Sequence, residues 1–147
     1  MTDSTDAQLI RILGQNGRLN SEILAKQPHI SSATVRRRLR KLIRSNSLRI
    51  VGAVDPSQFG LPLAAVINLD VSNDRLESAM EMLVNHPEIR WVSSATGRYD
   101  IIAFGRFPST DSLSEFLTKQ LSQIEGLSNS ETFVCLDVRK GRFVSLI

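Results

Sequence analysis

The residues best suited to chemistry in this chain are basic, and they are crowded. The stretch "ISSATVRRRLRKLIRSN" (30–46) places six Lys or Arg in the nine positions from Arg36 to Arg44, with no acid among them. Side chains of this kind at that density suit phosphates, because each is a charged hydrogen-bond donor facing a polyanion. Conventional catalytic parts are scarce by contrast. There are two histidines, His29 and His86, and one cysteine, Cys135. No CxxC, HExxH, GxSxG or phosphate-binding Gly-rich loop occurs, so metal, acyl-transfer and nucleotide chemistry lack their usual residues. No catalytic residue, metal or cofactor is expected. A second, smaller constellation lies in "TGRYD", where Gly97 and Asp100 could receive the two charged ends of an amino acid. Backbone N–H groups of the loop would take a carboxylate and Asp100 an ammonium. The plainer reading of the same residues is a hairpin turn at Gly97 that Asp100 caps.

These residues sit in a chain whose two parts differ in charge. Residues 1–60 carry ten Lys or Arg against four Asp or Glu, and residues 61–147 carry eight against eleven. That asymmetry suggests a polyanion-binding front joined to a neutral-to-acidic back. With 147 residues, 41% hydrophobic and 22% charged, the chain reads as globular, as one ordinary domain or two small ones. Nothing approaches the roughly 20 apolar residues of a membrane helix, and "MTDSTDAQ" has no apolar signal region. A lone Cys135 cannot make an internal disulfide. A cytoplasmic protein without membrane contact is expected.

The front must present the basic run, and its periodicity is helical. Asp6 is placed to cap a first helix carrying Leu9, Ile10, Ile12 and Leu13, which ends near Gly14 and Gly17. Asn20 caps a second bearing Ile23, Leu24 and Ala25, stopped by Pro28. Ser31 caps a third that runs to about Ser45. On it Val35, Leu39, Leu42 and Ile43 share one face, and Arg37, Arg40, Lys41 and Arg44 fall opposite. Its outer first turn, Ser32, Ala33 and Thr34, is small, as a helix entering a DNA major groove requires. "SLRIVGAVDP" then reads as a short strand from Leu48 to Val54. Together these elements spell a winged helix-turn-helix.

The back changes period. "LAAVINLDV" (63–71) alternates, with Ala65, Ile67, Leu69 and Val71 on one face. A helix over about 74–85 follows, with Leu76, Ala79, Met80, Leu83 and Val84 as its apolar stripe. "IRWVSSA" and "YDIIAFGRF" are two strands joined by "TGR". A second helix spans about 110–124, burying Leu113, Phe116, Leu117, Leu121 and Ile124, and "SETFVCLDV" is a last strand. The order is βαββαβ, a ferredoxin-like α+β arrangement with helices on one sheet face. The other face carries Ala64 and Val66, or alternatively Phe133 and Cys135. Either set leaves an apolar surface that predicts a dimer. The domains are therefore expected at 1–47 (helix-turn-helix), 48–62 (wing strand and the Pro- and Gly-containing linker "VDPSQFGLP") and 63–147.

On these motifs the chain resembles the Lrp/AsnC family of leucine-responsive, or feast/famine, regulators. Asp3-x-x-Asp6-x-x-Leu9-Ile10 is similar to the family's opening D-x-x-D-x-x-I-L, "ISSATVRRRLRKL" to its recognition helix, and "NHPEIRWVSSATGRYDIIAFGR" to its effector-domain signature. The resemblance implies a winged helix-turn-helix on double-stranded DNA and a C-terminal RAM domain that forms dimers, and from them tetramers, octamers or other rings. It implies a small-molecule effector, an amino acid or related metabolite, held between dimers. Gly97, Tyr99 and Asp100 then belong to the ligand loop, and Thr132 and Phe133 match positions tied to effector response. One residue departs from the pattern: His29 stands where the family has Gly in the turn before the third helix. His tolerates positive φ better than most residues, though less freely than Gly.

A DNA-binding transcriptional regulator follows. Ser32, Ala33, Thr34, Arg36 and Arg37 are the candidates for contacts at or near bases; Arg38, Arg40, Lys41 and Arg44 are assigned to phosphates or the flank, and Arg49 to the wing. The alternative from another class is a sirohaem-decarboxylase-like enzyme, which resembles the same two-domain architecture. Arg90, Arg98 and Arg106 would be its tetrapyrrole contacts, although arginines at strand ends are ordinarily surface charge. A metabolite-sensing RAM protein without DNA binding is a third class, against which the intact basic helix argues.

Overall fold

The computed structural model describes residues 3–141, so the outermost ends of the expected first and last domains lie outside it. The chain divides into two compact units that meet at Gly52 and Ala53. None of the described helices is long and apolar enough to cross a membrane.

The first unit is three helices: α1 (Ser4–Gln15), α2 (Ser21–Lys26) and α3 (Ser32–Arg44). Each starts on a side chain that accepts a hydrogen bond from a backbone N–H of the first turn. Asn20 takes the N–H of Ile23 at 2.9 Å and Ser31 that of Thr34 at 3.2 Å. For α1 the cap is Asp3, which takes the N–H of Asp6 at 2.9 Å; Asp6, expected in that role, lies inside the first turn and is buried. The core is small: Leu9, Leu13, Leu24, Ala25 and Val35, with Leu39 and Leu48 packed against it. Ile43, expected on the buried face, is 46% exposed.

Two departures from helix frame α3. His29 adopts φ +51°, so the turn uses a left-handed residue where His replaces Gly. After α3 the expected wing strand is absent. Residues 48–53 form no regular element and only Val54 makes an isolated bridge. A strand needs a ladder partner, and Ile50 and Val51 stand about half exposed without one.

The second unit follows the expected order: β1 (Leu63–Val71), α4 (Leu76–Val84), β2 (Ile89–Ser94), β3 (Ile101–Phe107), α5 (Thr110–Glu115) and β4 (Leu127–Cys135). The sheet order is β2-β3-β1-β4, all antiparallel. Two elements differ from the sequence pattern. The second helix is not one α-helix; after α5 the backbone widens to a π turn at Phe116–Gln120 and tightens to a 3₁₀ turn at Leu121–Gln123. That change of pitch keeps Phe116, Leu121 and Ile124 buried. The last strand begins earlier than "SETFV", at Leu127.

Ala65, Ile67, Leu69 and Val71 of β1 pack with Ala79, Leu83, Phe107 and Phe116 into the main core. Val84 does not join them and is 64% exposed. The opposite sheet face has no helix. Val66 pairs directly with Phe104 on one side and Phe133 on the other, Ala64 with Arg106 and Cys135, and Trp91 with Phe104. Directly opposed residues share a face, so the two sets read as alternatives in the sequence lie on one face, open around Trp91 and Phe133 and closed at the end where Ala64 and Arg106 are buried beside Asp55, Ser57 and Pro62. Trp91 and Phe133 are each 53% exposed there.

Candidate nucleic-acid interface and effector loop

The basic face of α3 is assembled by helical pitch alone. At 100° per residue, Ala33, Arg37, Arg40 and Arg44 fall within one narrow sector opposite Val35 and Leu42, with Lys41 beside them. Arg36, Arg37, Arg40, Lys41 and Arg44 are all exposed, and Arg37, Arg40, Lys41, Arg44 and Ser45 line an open recess of about 620 Å³. Arg40 Nε donates to the Arg36 carbonyl at 3.3 Å, which lays that side chain back toward the helix N-terminus. No acid lies on this face, so its field is uncompensated.

At the start of α3, Ala33 is exposed while Ser32 and Thr34 are half-buried. The Thr34 hydroxyl shares a 2.9 Å hydrogen bond with Ser31 Oγ. The first turn is thus capped, small and fixed in rotamer, with the basic sector directly behind it.

Of the residues assigned to phosphates or the flank, Arg38 is on the flank: it falls only about 60° from Val35 around the helix axis and turns inward. Its Nη1 meets Asp3 Oδ2 at 2.6 Å and Asp6 Oδ1 at 2.9 Å. The N–H of Asp6 and the Arg38 guanidinium hold the Asp3 carboxyl below its ordinary pKa, and the two carboxylates raise that of Arg38. The spacing to Val35 (i+3) and Leu42 (i−4) was the available signal. Arg49, assigned to a wing, is exposed on an irregular segment.

The loop between β2 and β3 is anchored by Asp100. Its carbonyl accepts from the Ala95 N–H at 2.8 Å, its N–H donates to the Leu69 carbonyl at 2.9 Å, and its Oδ2 accepts from the Val71 N–H at 2.9 Å. One carboxylate oxygen therefore fastens the loop to the end of β1. Gly97 adopts φ +128° with open space around it, so its backbone conformation and not crowding favours glycine. Tyr99 reaches β4, where its hydroxyl donates to Glu131 Oε2 at 2.6 Å. That hydrogen bond, reinforced by burial, raises the Tyr99 pKa. Glu131 was not singled out in the sequence; its partner lies 32 residues away, and no local pattern signals the pair.

Thr132 and Phe133 do not act on one surface. Thr132 pairs with Ile67 on the helix-covered side, and Phe133 with Val66 on the open face. Tyr99, Glu131 and Phe133 are the expected and newly found residues brought to the same side of the sheet.

The arginines offered for a tetrapyrrole do not converge. Arg98 lies in the loop before β3 with its guanidinium 5.3 Å from the Tyr99 ring centre, and Arg106 is near the other end of β3, roughly 20 Å along the strand. Arg106 is also not surface charge: it is 4% exposed, with its guanidinium 5.5 Å from the Phe104 ring centre. It lines a cavity of about 250 Å³ with Asp55, Ala64, Cys135 and Asp137, which neither Arg90 nor Arg98 lines. His86 is a turn residue after α4. Its N–H donates to the Leu83 carbonyl, and its ring stands edge-on to Phe116 with Nδ1 3.0 Å from Glu88 Oε2.

Residues 3–43 match the family model described as the AsnC-type helix-turn-helix domain, and residues 64–144 that of the Lrp/AsnC ligand binding domain. An HTH-type transcriptional regulator of Pyrococcus furiosus is 30% identical, over 95% of this chain and 95% of its own. The structure of Escherichia coli AsnC superimposes with a TM-score of 0.84 at 25% identity, covering 95% of both chains. A transcriptional regulator of Neisseria meningitidis, solved as a complex with L-Met, has the same fold, with a TM-score of 0.83 at 24% identity over 95% of this chain and 93% of its own.

Proposed function

This chain belongs to the Lrp/AsnC family, and from that premise we propose which residues do the work of a DNA-binding transcriptional regulator that responds to a small-molecule effector. The observation that carries the reading is the basic sector of α3, exposed, free of acids, and placed directly behind a small, capped first turn. Ser32, Ala33, Thr34, Arg36 and Arg37 meet base edges or lie next to them. Arg40, Lys41 and Arg44 meet phosphates, and supply affinity more than sequence preference.

The division of labour follows the expected domains: residues 1–47 for DNA, 48–62 as a linker without a wing strand, and 63–147 for effector and self-association. The open sheet face around Val66, Trp91, Phe104 and Phe133 is the surface on which a second copy docks, because burying it removes exposed aromatic area from water. The dimer places two copies of α3 in successive major grooves. Further pairing of dimers gives the tetramer or octamer.

The effector is an amino acid or related metabolite, in keeping with the L-Met complex of the Neisseria regulator. Gly97 and its neighbours receive the carboxylate through backbone N–H groups, and the Asp100 oxygen not bonded to Val71 receives the ammonium. Tyr99 and Phe133 supply the apolar wall, and Thr132 acts from the other side of β4. Ligand at this loop changes how dimers meet, and so the spacing of the DNA-binding units.

The test is fluorescence anisotropy of the full chain against a duplex that it enriches from a random library and against a scrambled duplex, each at two salt concentrations. Tighter, salt-sensitive binding to the enriched duplex supports the regulator, and an amino-acid panel in the same titration then tests the effector. No binding to either duplex at low salt refutes it.

A further inference from the structure

We propose that Arg38 is a positioning residue for DNA reading: clasped by Asp3 and Asp6 of α1, it fixes the rotation of α3 about its own axis and so aims the first turn and Arg37 at the bases. The inference rests on the regulator reading above and goes beyond it, because Arg38 itself touches no DNA in this scheme.

The geometry is specific. A single nitrogen, Arg38 Nη1, meets one oxygen of each carboxylate, at 2.6 and 2.9 Å. Both acids are already held on α1. Asp3 is the N-cap, its other oxygen accepting from the Asp6 N–H at 2.9 Å, and Asp6 lies in the first turn at 8% exposure. Negative charge at that end of α1 also suits the helix dipole. The clasp therefore joins a pre-set pair of acids on one helix to the middle of another.

The two halves of the clasp differ. The Arg38 side chain is 27% exposed and that of Asp3 52%, so that pair adds little stability. The Asp6 side chain is 11% exposed, so its carboxylate needs the guanidinium and holds it in one place. Val35 and Leu42 are buried and set the mean rotation of α3, but Leu39 and Ile43, on the side of them away from Arg38, are only half-buried and exposed respectively, so the clasp secures the flank that apolar packing does not. Arg38 lies one residue from Arg37, about 100° around the axis. Holding Arg38 inward holds Arg37 outward, one turn after Ser32, Ala33 and Thr34. A helix free to roll by a few tens of degrees would keep its phosphate contacts, which long side chains can follow, and would lose its base contacts, which need fixed direction.

The decisive variant removes the acids and leaves every cation in place. Asp3→Asn with Asp6→Asn strengthens binding to all DNA by lowering negative charge. The ratio of affinities for the library-enriched and scrambled duplexes isolates aim from charge. We expect that ratio to fall about tenfold, the size of one lost base contact, with the salt dependence retained. Arg38→Gln should give the same fall, and Arg38→Lys should recover part of it. Asp3→Asn alone preserves the cap, since Asn caps as well as Asp, and carries the test if circular dichroism shows another variant unfolded.

An unchanged ratio in the acid variants, with a salt slope lowered by about 0.9 in Arg38→Gln, would make Arg38 an ordinary phosphate contact and overturn the proposal. So would no effect from any of the variants. A wild-type protein that binds neither duplex would instead remove the regulator reading on which the clasp depends.

Discussion

The two units of this chain solve opposite problems. The first, among the described residues, buries six apolar side chains, five of them in one cluster, and places its surplus on the outside as charge along one side of α3. The second buries fourteen side chains in its main core and places its surplus outside as apolar surface, an open sheet face with Trp91 and Phe133 half exposed. Uncompensated charge calls for a polyanion and uncovered apolar area for another apolar face. Under the proposed function, the unit with the smaller core reads DNA and the unit with the larger core assembles.

The largest effect that would sharpen this contrast comes from the small core. Leu9→Ala, at a fully buried position, should cost about 2–5 kcal/mol, most of what so small a unit has. Calorimetry should show the transition of the first unit displaced or lost while that of the second persists, and DNA binding should vanish. Loss of both transitions together would break the two-unit account.

Next in size is the charged sector. Replacing Arg40, Lys41 and Arg44 with Gln should lower the salt slope of DNA binding by roughly 2–3 and the affinity by roughly 10²–10³-fold at 0.1 M salt. The oligomer size seen by sedimentation should not change. For the second unit the matching substitution is Phe133→Asp, which places a charge on the open sheet face and should weaken self-association by about tenfold or more. Emission from Trp91, the single tryptophan, should shift to the red as that face becomes wet. Unchanged sedimentation would remove this face as the dimer surface.

The smallest effects lie at the two ends of the pH scale, one in each unit. The folded-state pKa of Asp3 is lowered, so the clasp contributes above the unfolded value of about 3.9 and is lost as pH falls through the folded one. The melting temperature of the first unit should therefore decline below about pH 4, less steeply in Asp3→Asn. In the second unit Tyr99, the single tyrosine, should ionise above its usual value of about 10. Absorbance titration should show the midpoint return toward that value in Glu131→Gln.

Much of both units was legible in the sequence because their surpluses are periodic. Val35, Leu39 and Leu42 declare a helix, Ala65, Ile67, Leu69 and Val71 a strand, and Ser31 and Asn20 announce helix starts by chemistry that acts within three residues. What stayed hidden depends on partners far along the chain. β-rich residues at Leu48–Val54 suggest a wing strand, yet a strand exists only where another pairs with it. Asp6 was a plausible cap until Asp3 took that place and Arg38 gave Asp6 another partner. Arg38 looked like one more cation of the run because charge density, unlike helical angle, does not distinguish inside from outside. That Thr132 and Phe133 take opposite faces follows from strand alternation alone; which of them lies on the open face is set by the β1–β4 register, which β4 by itself does not specify.

The measurement that tests the central claim most directly is native mass spectrometry of the full chain mixed with its library-enriched duplex, run for the wild type and for Phe133→Asp. The account predicts even numbers of wild-type copies on each duplex, and single copies with weaker retention for the variant, because one unit grips DNA while the other pairs with its own copy. Single wild-type copies on the duplex, or a variant that still binds in pairs, would contradict it.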